Sequence, residues 1–173
     1  MTLFVDMDEV LADTYQAHID IYNLEFGASL TREECFGKEV WQCVPKEHQK
    51  SIRQHAHTYG FFKDLPVIEN SQEVLKQLNA AHTVYIASAA MQFPNSLEEK
   101  SVWLDVHFPF IPWQRRILCG DKHILKGDLL IDDRSYNLER FDGETILFTS
   151  PHNVNTQGFE RADNWLEIAN KLL

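Results

Sequence analysis

Leu3-Phe4-Val5 is apolar at consecutive positions, and the chain turns acidic directly afterwards with Asp6-Met7-Asp8. Side chains alternate between the two faces of a strand, so a run without a polar position must be covered on both. Such a strand belongs inside a parallel sheet flanked by helices. Four more short runs of strand type follow: Thr83-Val84-Tyr85-Ile86-Ala87, Arg116 to Cys119, Leu129-Leu130-Ile131 and Thr145 to Phe148. Helical patterns separate them. Leu11, Tyr15, Ile19, Tyr22 and Phe26 recur at three- and four-residue steps, which predicts a helix over 10–26 that Gly27 ends. Capping patterns at Asn70-Ser71-Gln72-Glu73 and Ser96-Leu97-Glu98-Glu99 open two more helices, the second carrying Val102, Trp103 and Val106. A last helix starts near Asp163. This alternation predicts an α/β fold, a Rossmann-like parallel sheet with helices on both faces.

Residues 28–63 break the rhythm. Thr31-Arg32-Glu33-Glu34 has the form of a capping box, and Pro45 opens a helical stretch that Gly60 closes, but no strand pattern appears. The segment is polar, with His48, His55 and His57 on what reads as a solvated helix face, yet it carries the aromatics Phe36, Trp41, Phe61 and Phe62. The expected organisation is an α/β core of residues 1–27 and 64–173 with a small helical cap, 28–63, inserted above the strand ends. Packing is the ordinary use of the four aromatics; contact with a planar ligand is the alternative.

A length of 173 residues suits one domain with an insertion, and 44% hydrophobic content suits a globular core. The net charge of −10 argues against a nucleic-acid polymer as partner but leaves a small phosphate ligand open. Cys35, Cys43 and Cys119 are odd in number and lack zinc-site spacing, so they read as free thiols. No basic leader or membrane-length apolar run is visible, and a cytoplasmic protein is expected.

The strand ends carry the chemistry. Asp6 and Asp8, two apart at the end of the first strand, repel unless a hard divalent cation with oxygen ligands neutralises them. Ser88 ends the second strand, Lys122 follows the third, and Asp132-Asp133 ends the fourth. Lys126 competes with Lys122, and Asp128 competes with the Asp132-Asp133 pair, but the apolar run 129–131 lies after Asp128 and puts the strand end at Asp132. The set suits phosphoryl transfer. One carboxylate attacks phosphorus, a second handles protons, a hydroxyl and an ammonium hold phosphate oxygens, and the distant acids complete a magnesium shell.

This order resembles the haloacid dehalogenase superfamily of aspartate-nucleophile phosphatases. Within it, Val5-Asp6-Met7-Asp8 with Val10-Leu11-Ala12-Asp13, Phe61-Phe62 before Leu65-Pro66, Asp121-Lys122, Asp128 to Arg134, and Leu147-Phe148-Thr149 with His152-Asn153 resemble the 5′(3′)-deoxyribonucleotidase family across nearly the whole chain. The resemblance implies Asp6 as nucleophile and Asp8 as general acid/base. It implies phosphate binding by Ser88, Ala89 and Lys122, and Mg²⁺ held by Asp6, Asp8 (through its main-chain carbonyl), Asp132 and Asp133. The substrate would be a deoxynucleoside monophosphate whose base meets Phe36, Trp41, Phe61 and Phe62, with another small phosphomonoester or a silent nucleotide-binding protein as rivals. No membrane partner is implied, and a homodimer is left open. Two positions depart from the family: Glu9 stands where glycine is usual, and Ala89 where a second hydroxyl is frequent.

Overall fold

A computed structural model describes residues 1–173. Six parallel strands form one sheet: β1 (Thr2–Val5), β2 (Thr83–Ser88), β3 (Arg116–Leu118), β4 (Leu129–Asp132), β5 (Glu144–Phe148) and β6 (Arg161–Ala162), in spatial order β3-β2-β1-β4-β5-β6. The consecutive apolar side chains of β1 do what their pattern demands. Leu3 and Val5 join the larger hydrophobic cluster on one face, and Phe4 joins a second cluster on the other. β1 pairs with β2 on one side (Phe4 opposite Tyr85) and β4 on the other (Phe4 opposite Leu130). The strand order therefore reverses beside β1, the point where open α/β sheets place their ligand crevice.

Six helices accompany the sheet: α1 (Thr14–Phe26), α2 (Gln49–His55), α3 (Ser71–Ala81), α4 (Ser96–His107), α5 (Ser135–Leu138) and α6 (Trp165–Leu172). Val74, Leu75 and Leu78 of α3, Trp103 and Leu104 of α4, and Trp165 and Ile168 of α6 cover the Leu3 face. Leu138 of α5, with Leu125 and Phe141, covers the Phe4 face. Trp103 and Trp165 are fully buried, and each indole N–H finds a carbonyl, Leu65 at 2.9 Å and Val10 at 2.7 Å. Truncating either would cost about 3–5 kcal/mol.

Several boundaries differ from expectation. α1 starts at Thr14 because residues 7–12 form a tight loop in which the Met7 carbonyl accepts from Val10, Leu11 and Ala12. Asp13 caps α1 through Gln16 N and pairs with Arg32 at 2.8 Å. α2 stops at His55, and turns carry the chain on through Gly60. Neither Asn70 nor Ser96 caps its helix through its side chain. Ser71 Oγ is buried without a partner, while Ser96 Oγ donates to the Ala90 carbonyl. β6 has two residues, too few for any periodic signal.

Segment 28–63 holds short 3-10 turns and α2. Cys35, Val40, Val44 and Ile52 pack on Tyr15, Ile19 and Tyr22 of α1 in a cluster of their own. Two links fasten the segment over the strand ends: Gly37 N donates to the Pro151 carbonyl at 2.8 Å, and Glu39 pairs with Arg134 at 2.5 Å. The three cysteines are free. No helix is long and apolar enough to cross a membrane.

Candidate active site

β1 and β4 are hydrogen-bonded neighbours, so their carboxyl ends deliver Asp6 and the pair Asp132-Asp133 to one place. Ligand oxygens of these three buried carboxylates lie within 4.8 Å of one another. Lys122, fully buried and brought in by the turn after β3, bridges Asp6 Oδ1 at 2.5 Å and Asp132 Oδ2 at 2.6 Å. Lys126 is exposed, and Asp128 accepts from Thr2 N at the opposite end of β4. Burial, with Asp132, Asp133 and Asp8 nearby, pushes Asp6 well above the ordinary carboxylate range despite Lys122. Burial opposes the Lys122 ammonium, but Asp132 and Asp6 outweigh it and raise its pKa. Burial and Asp132 lift Asp133 to about 7, against Arg134.

Three clustered carboxylates therefore face one fully buried ammonium, with Arg134 Nε reaching Asp133 at 3.2 Å from a half-exposed position. The uncompensated negative charge and the all-oxygen donor set fit a hard divalent cation. A further acceptor, Asp8 Oδ1, is buried with no hydrogen-bond partner. The surrounding bonds aim these acids. Arg134 N and Asn137 Nδ2 donate to Asp132. His152 Nε2 meets Asp133 Oδ2 at 2.6 Å, and burial, followed by Arg134, lowers His152 to about 4, so a neutral imidazole packs against this acid. Asn153 Nδ2 holds the main-chain carbonyls of Asp133 and Phe148.

Asp8 and Ser88 meet through a residue that the sequence reading missed. Lys100 of α4 is 1% exposed; its Nζ lies 2.5 Å from Asp8 Oδ2 and 2.9 Å from Ser88 Oγ, and 4.6 Å from the Phe62 ring centroid. The buried face of α4 is Ser96, Lys100, Trp103 and Leu104, whereas Val102 and Val106 are exposed. Apolar residues lie on both the buried and the exposed sides of α4, so periodicity offered no signal that Lys100 points inward.

Glu9 adopts a left-handed conformation, φ 63°, which explains why glycine suits this position elsewhere. Its carboxylate turns to the start of α1, accepting from Thr14 Oγ1, from Tyr15 N at 2.5 Å and from Ser150 Oγ at 2.9 Å. A helix N-terminus favours an anion there. Burial still raises Glu9 to about 7, followed by Asp13 and Asp133.

Above these groups opens a cavity of about 490 Å³. Asp6, Asp8, Ala89, Lys122 and Asp133 line its floor; Trp41, Phe61, Phe62 and Phe93 line its walls. Phe36 does not reach it. That ring is 53% exposed because the turn at Glu33–Cys35 sends Cys35 inward instead, so the structure removes Phe36 from the ligand-facing set. The guanidinium of Arg53 sits 3.9 Å from the Trp41 ring centroid. Glu99, expected in a capping box, instead accepts from the main-chain N–H groups of Gly60 at 2.6 Å and Phe62 at 2.9 Å, fixing the aromatic wall to α4. The histidines are not one solvated face: His55 is buried, His48 stacks on Phe26 with centroids 3.9 Å apart, and only His57 is exposed.

Residues 1–173 match the family described as 5′ nucleotidase, deoxy (pyrimidine), cytosolic type C protein. A 5′(3′)-deoxyribonucleotidase from Bacillus subtilis is 41% identical over 174 residues, covering 98% of this chain and 96% of that protein. Among solved structures, a haloacid dehalogenase-like hydrolase from Streptococcus pneumoniae superposes with TM-score 0.62 at 12% identity, covering 99% and 98% of the two chains. The HAD-hydrolase YfnB from Bacillus subtilis, in a magnesium-bound form, superposes with TM-score 0.61 at 12% identity, covering 99% and 97%. These two likenesses establish the fold.

Proposed function

Because the chain belongs to the family of cytosolic type C deoxy-5′-nucleotidases, it is a phosphoric monoester hydrolase, and we propose that its substrates are deoxyribonucleoside monophosphates. The observation that carries the reading is the meeting of Asp6, Asp132, Asp133 and Lys122 at the ends of adjacent strands, beneath an aromatic-walled cavity. The segment 28–63 acts as the cap that closes this cavity, and Trp41, Phe61 and Phe62 supply the apolar surface for the base.

Asp6 is the nucleophile. Its carboxylate attacks phosphorus, the phosphorus–oxygen ester bond breaks, and Asp8 protonates the departing nucleoside oxygen. Asp8 then takes a proton from water, which attacks the aspartyl-phosphate at phosphorus and returns Asp6 with inorganic phosphate. Lys122, Lys100, Ser88 Oγ and the main-chain amide of Ala89 hold the equatorial oxygens as charge builds on them. Lys100 has a second task, since its bond to Asp8 Oδ2 sets the direction of the proton-transferring carboxyl. Mg²⁺ is the cation that suits the acidic set; Asp6, Asp132, Asp133 and the Asp8 carbonyl would hold it, and when bound it supplies charge neutralisation for a nucleophile and a phosphate that otherwise repel.

Phosphate release from deoxynucleotides, ribonucleotides and sugar phosphates, with Mg²⁺ and with chelator, tests the reading. Highest kcat/KM on deoxynucleotides, lost with chelator, is expected. Preference for sugar phosphates would remove the substrate assignment and leave the chemistry; no release from any substrate would remove both.

A further inference from the structure

His18 lies one turn into α1 and lines the catalytic cavity, yet nothing in the chemistry above uses it. Its Nδ1 lies 3.2 Å from Nδ1 of His55, and the two rings are within 17° of parallel. His55 in turn places Nε2 3.4 Å from Glu25 Oε2, and Glu25 is held in place by Ser51 Oγ, which donates at 2.6 and 2.8 Å. These contacts fix the protons. An ionised Glu25 only accepts, so His55 must donate from Nε2. A neutral His55 then offers a lone pair at Nδ1, and His18 must donate to it from its own Nδ1. A neutral His18 is left with a lone pair at Nε2, since its contact with His55 is made through Nδ1.

Neutrality follows from the surroundings. Burial and the neighbouring His55 lower His18 to about 4, burial lowers His55, and Ser51 holds Glu25 below its usual range. The Phe61 ring, 4.6 Å from the His18 ring, sets the imidazole beside the aromatic wall. Filling this space alone would be served by two aliphatic side chains without burying two imidazoles.

We propose that Glu25, His55 and His18 form a chain that fixes the His18 tautomer and presents Nε2 to the cavity as an acceptor for an N–H or O–H donor on the nucleoside part of the substrate. His18 is then a specificity-determining residue, and His55 and Glu25 are positioning residues that act through it. The assignment rests on the deoxynucleotide reading given above. The donor has two sources, the imide N–H of a base or the sugar 3′-hydroxyl, and the substrate itself can separate them.

The test is steady-state kinetics of the wild type and variants on dTMP, N3-methyl-dTMP and 3′-deoxy-dTMP. His18→Phe keeps the ring against Phe61 and removes the acceptor. It should raise KM for dTMP about five- to tenfold with kcat unchanged, as loss of one neutral hydrogen bond does. The same variant should be indifferent to the analogue that lacks the matching donor, N3-methyl-dTMP for a base donor or 3′-deoxy-dTMP for a sugar donor. Glu25→Ala, on the surface, should reproduce part of the KM rise. Glu25→Gln, whose amide oxygen still accepts from His55, should restore it. If His18→Phe melts early, His18→Asn, which keeps an acceptor, carries the comparison through its preference among the three substrates. Wild type that treats all three alike, or a His18→Phe that leaves the dTMP KM unchanged, would overturn the assignment. Wild type that hydrolyses no nucleotide but does release phosphate from other esters would remove the deoxynucleotide reading, and the assignment with it.

Discussion

Replacing Lys100 by methionine keeps the aliphatic stem and removes only the ammonium. That ammonium is buried, bonds Asp8 Oδ2 at 2.5 Å and Ser88 Oγ at 2.9 Å, and lies over Phe62. Breaking a fully buried ion pair costs about 3–5 kcal/mol, because one charge is left stranded. Here the stranded partner is Asp8, whose side chain is 32% exposed and can be hydrated, while removing the ammonium also removes its own desolvation penalty. The net loss of stability should be about 1 kcal/mol, or about 2–4 °C in Tm for a domain of this size. The effect on catalysis should be much larger. One donor aimed at developing charge in a water-poor site is worth about 10²–10³-fold in kcat, and Lys100 also aims Asp8. Lys100→Arg restores charge but must fit a planar fork into a slot built for a point charge, so it should recover only part. The assay pairs phosphate release on dTMP with thermal melting. A Lys100→Met enzyme that melts within the stated range and keeps kcat within threefold of wild type would refute the role given to this lysine, and so would a change confined to KM.

Three further outcomes are expected. Trp41→Ala removes one face of the base site; stacking is worth about 1–3 kcal/mol, so kcat/KM on deoxynucleotides should fall at least fivefold while p-nitrophenyl phosphate, which lacks a nucleobase, is hydrolysed as before. Glu99→Ala strands the amides of Gly60 and Phe62 and should lower stability by about 1–3 kcal/mol in urea unfolding, with a raised KM as the Phe61-Phe62 wall loosens. His18 titrates near 4 in the folded chain against about 6.5 unfolded, so the unfolded state binds the proton first as pH falls; the stability it contributes is present above pH 6.5 and is lost towards pH 4, by about 2 kcal/mol at pH 5. The difference between wild type and His18→Phe, followed by urea unfolding at pH 7 and pH 5, isolates that contribution from the acids whose pKa values move the other way.

The sheet was legible because Leu3–Val5 in β1 and Leu129–Ile131 in β4 are short, uninterrupted apolar runs, the pattern a parallel strand covered on both faces requires. The strand-end acids were legible for the same reason, since the place where the apolar run stops locates Asp6 and separates Asp132-Asp133 from Asp128. Lys100 was not. Its helix was read with Val102 and Val106 on the inner face, and the true inner stripe contains a charge that periodicity treats as solvent-facing. Glu99 and Ser96 matched a local capping pattern, but tertiary partners took both side chains. The His18-His55-Glu25 chain joins two residues of α1 to His55, at least 30 residues further on, and leaves no local signature. Phe36 shows the converse: composition groups it with Trp41, Phe61 and Phe62, and one turn of backbone faces it outward.

The central claim is that Asp6 becomes covalently phosphorylated. Enzyme mixed with dTMP and Mg²⁺ and quenched in acid on the millisecond scale should yield a phosphorylated peptide containing Asp6, labile to hydroxylamine as an acyl phosphate is, and absent from Asp6→Asn. Turnover with no phosphopeptide at any quench time, or an Asp6→Asn enzyme that still releases phosphate at the wild-type rate, would contradict the account and point to direct attack by water.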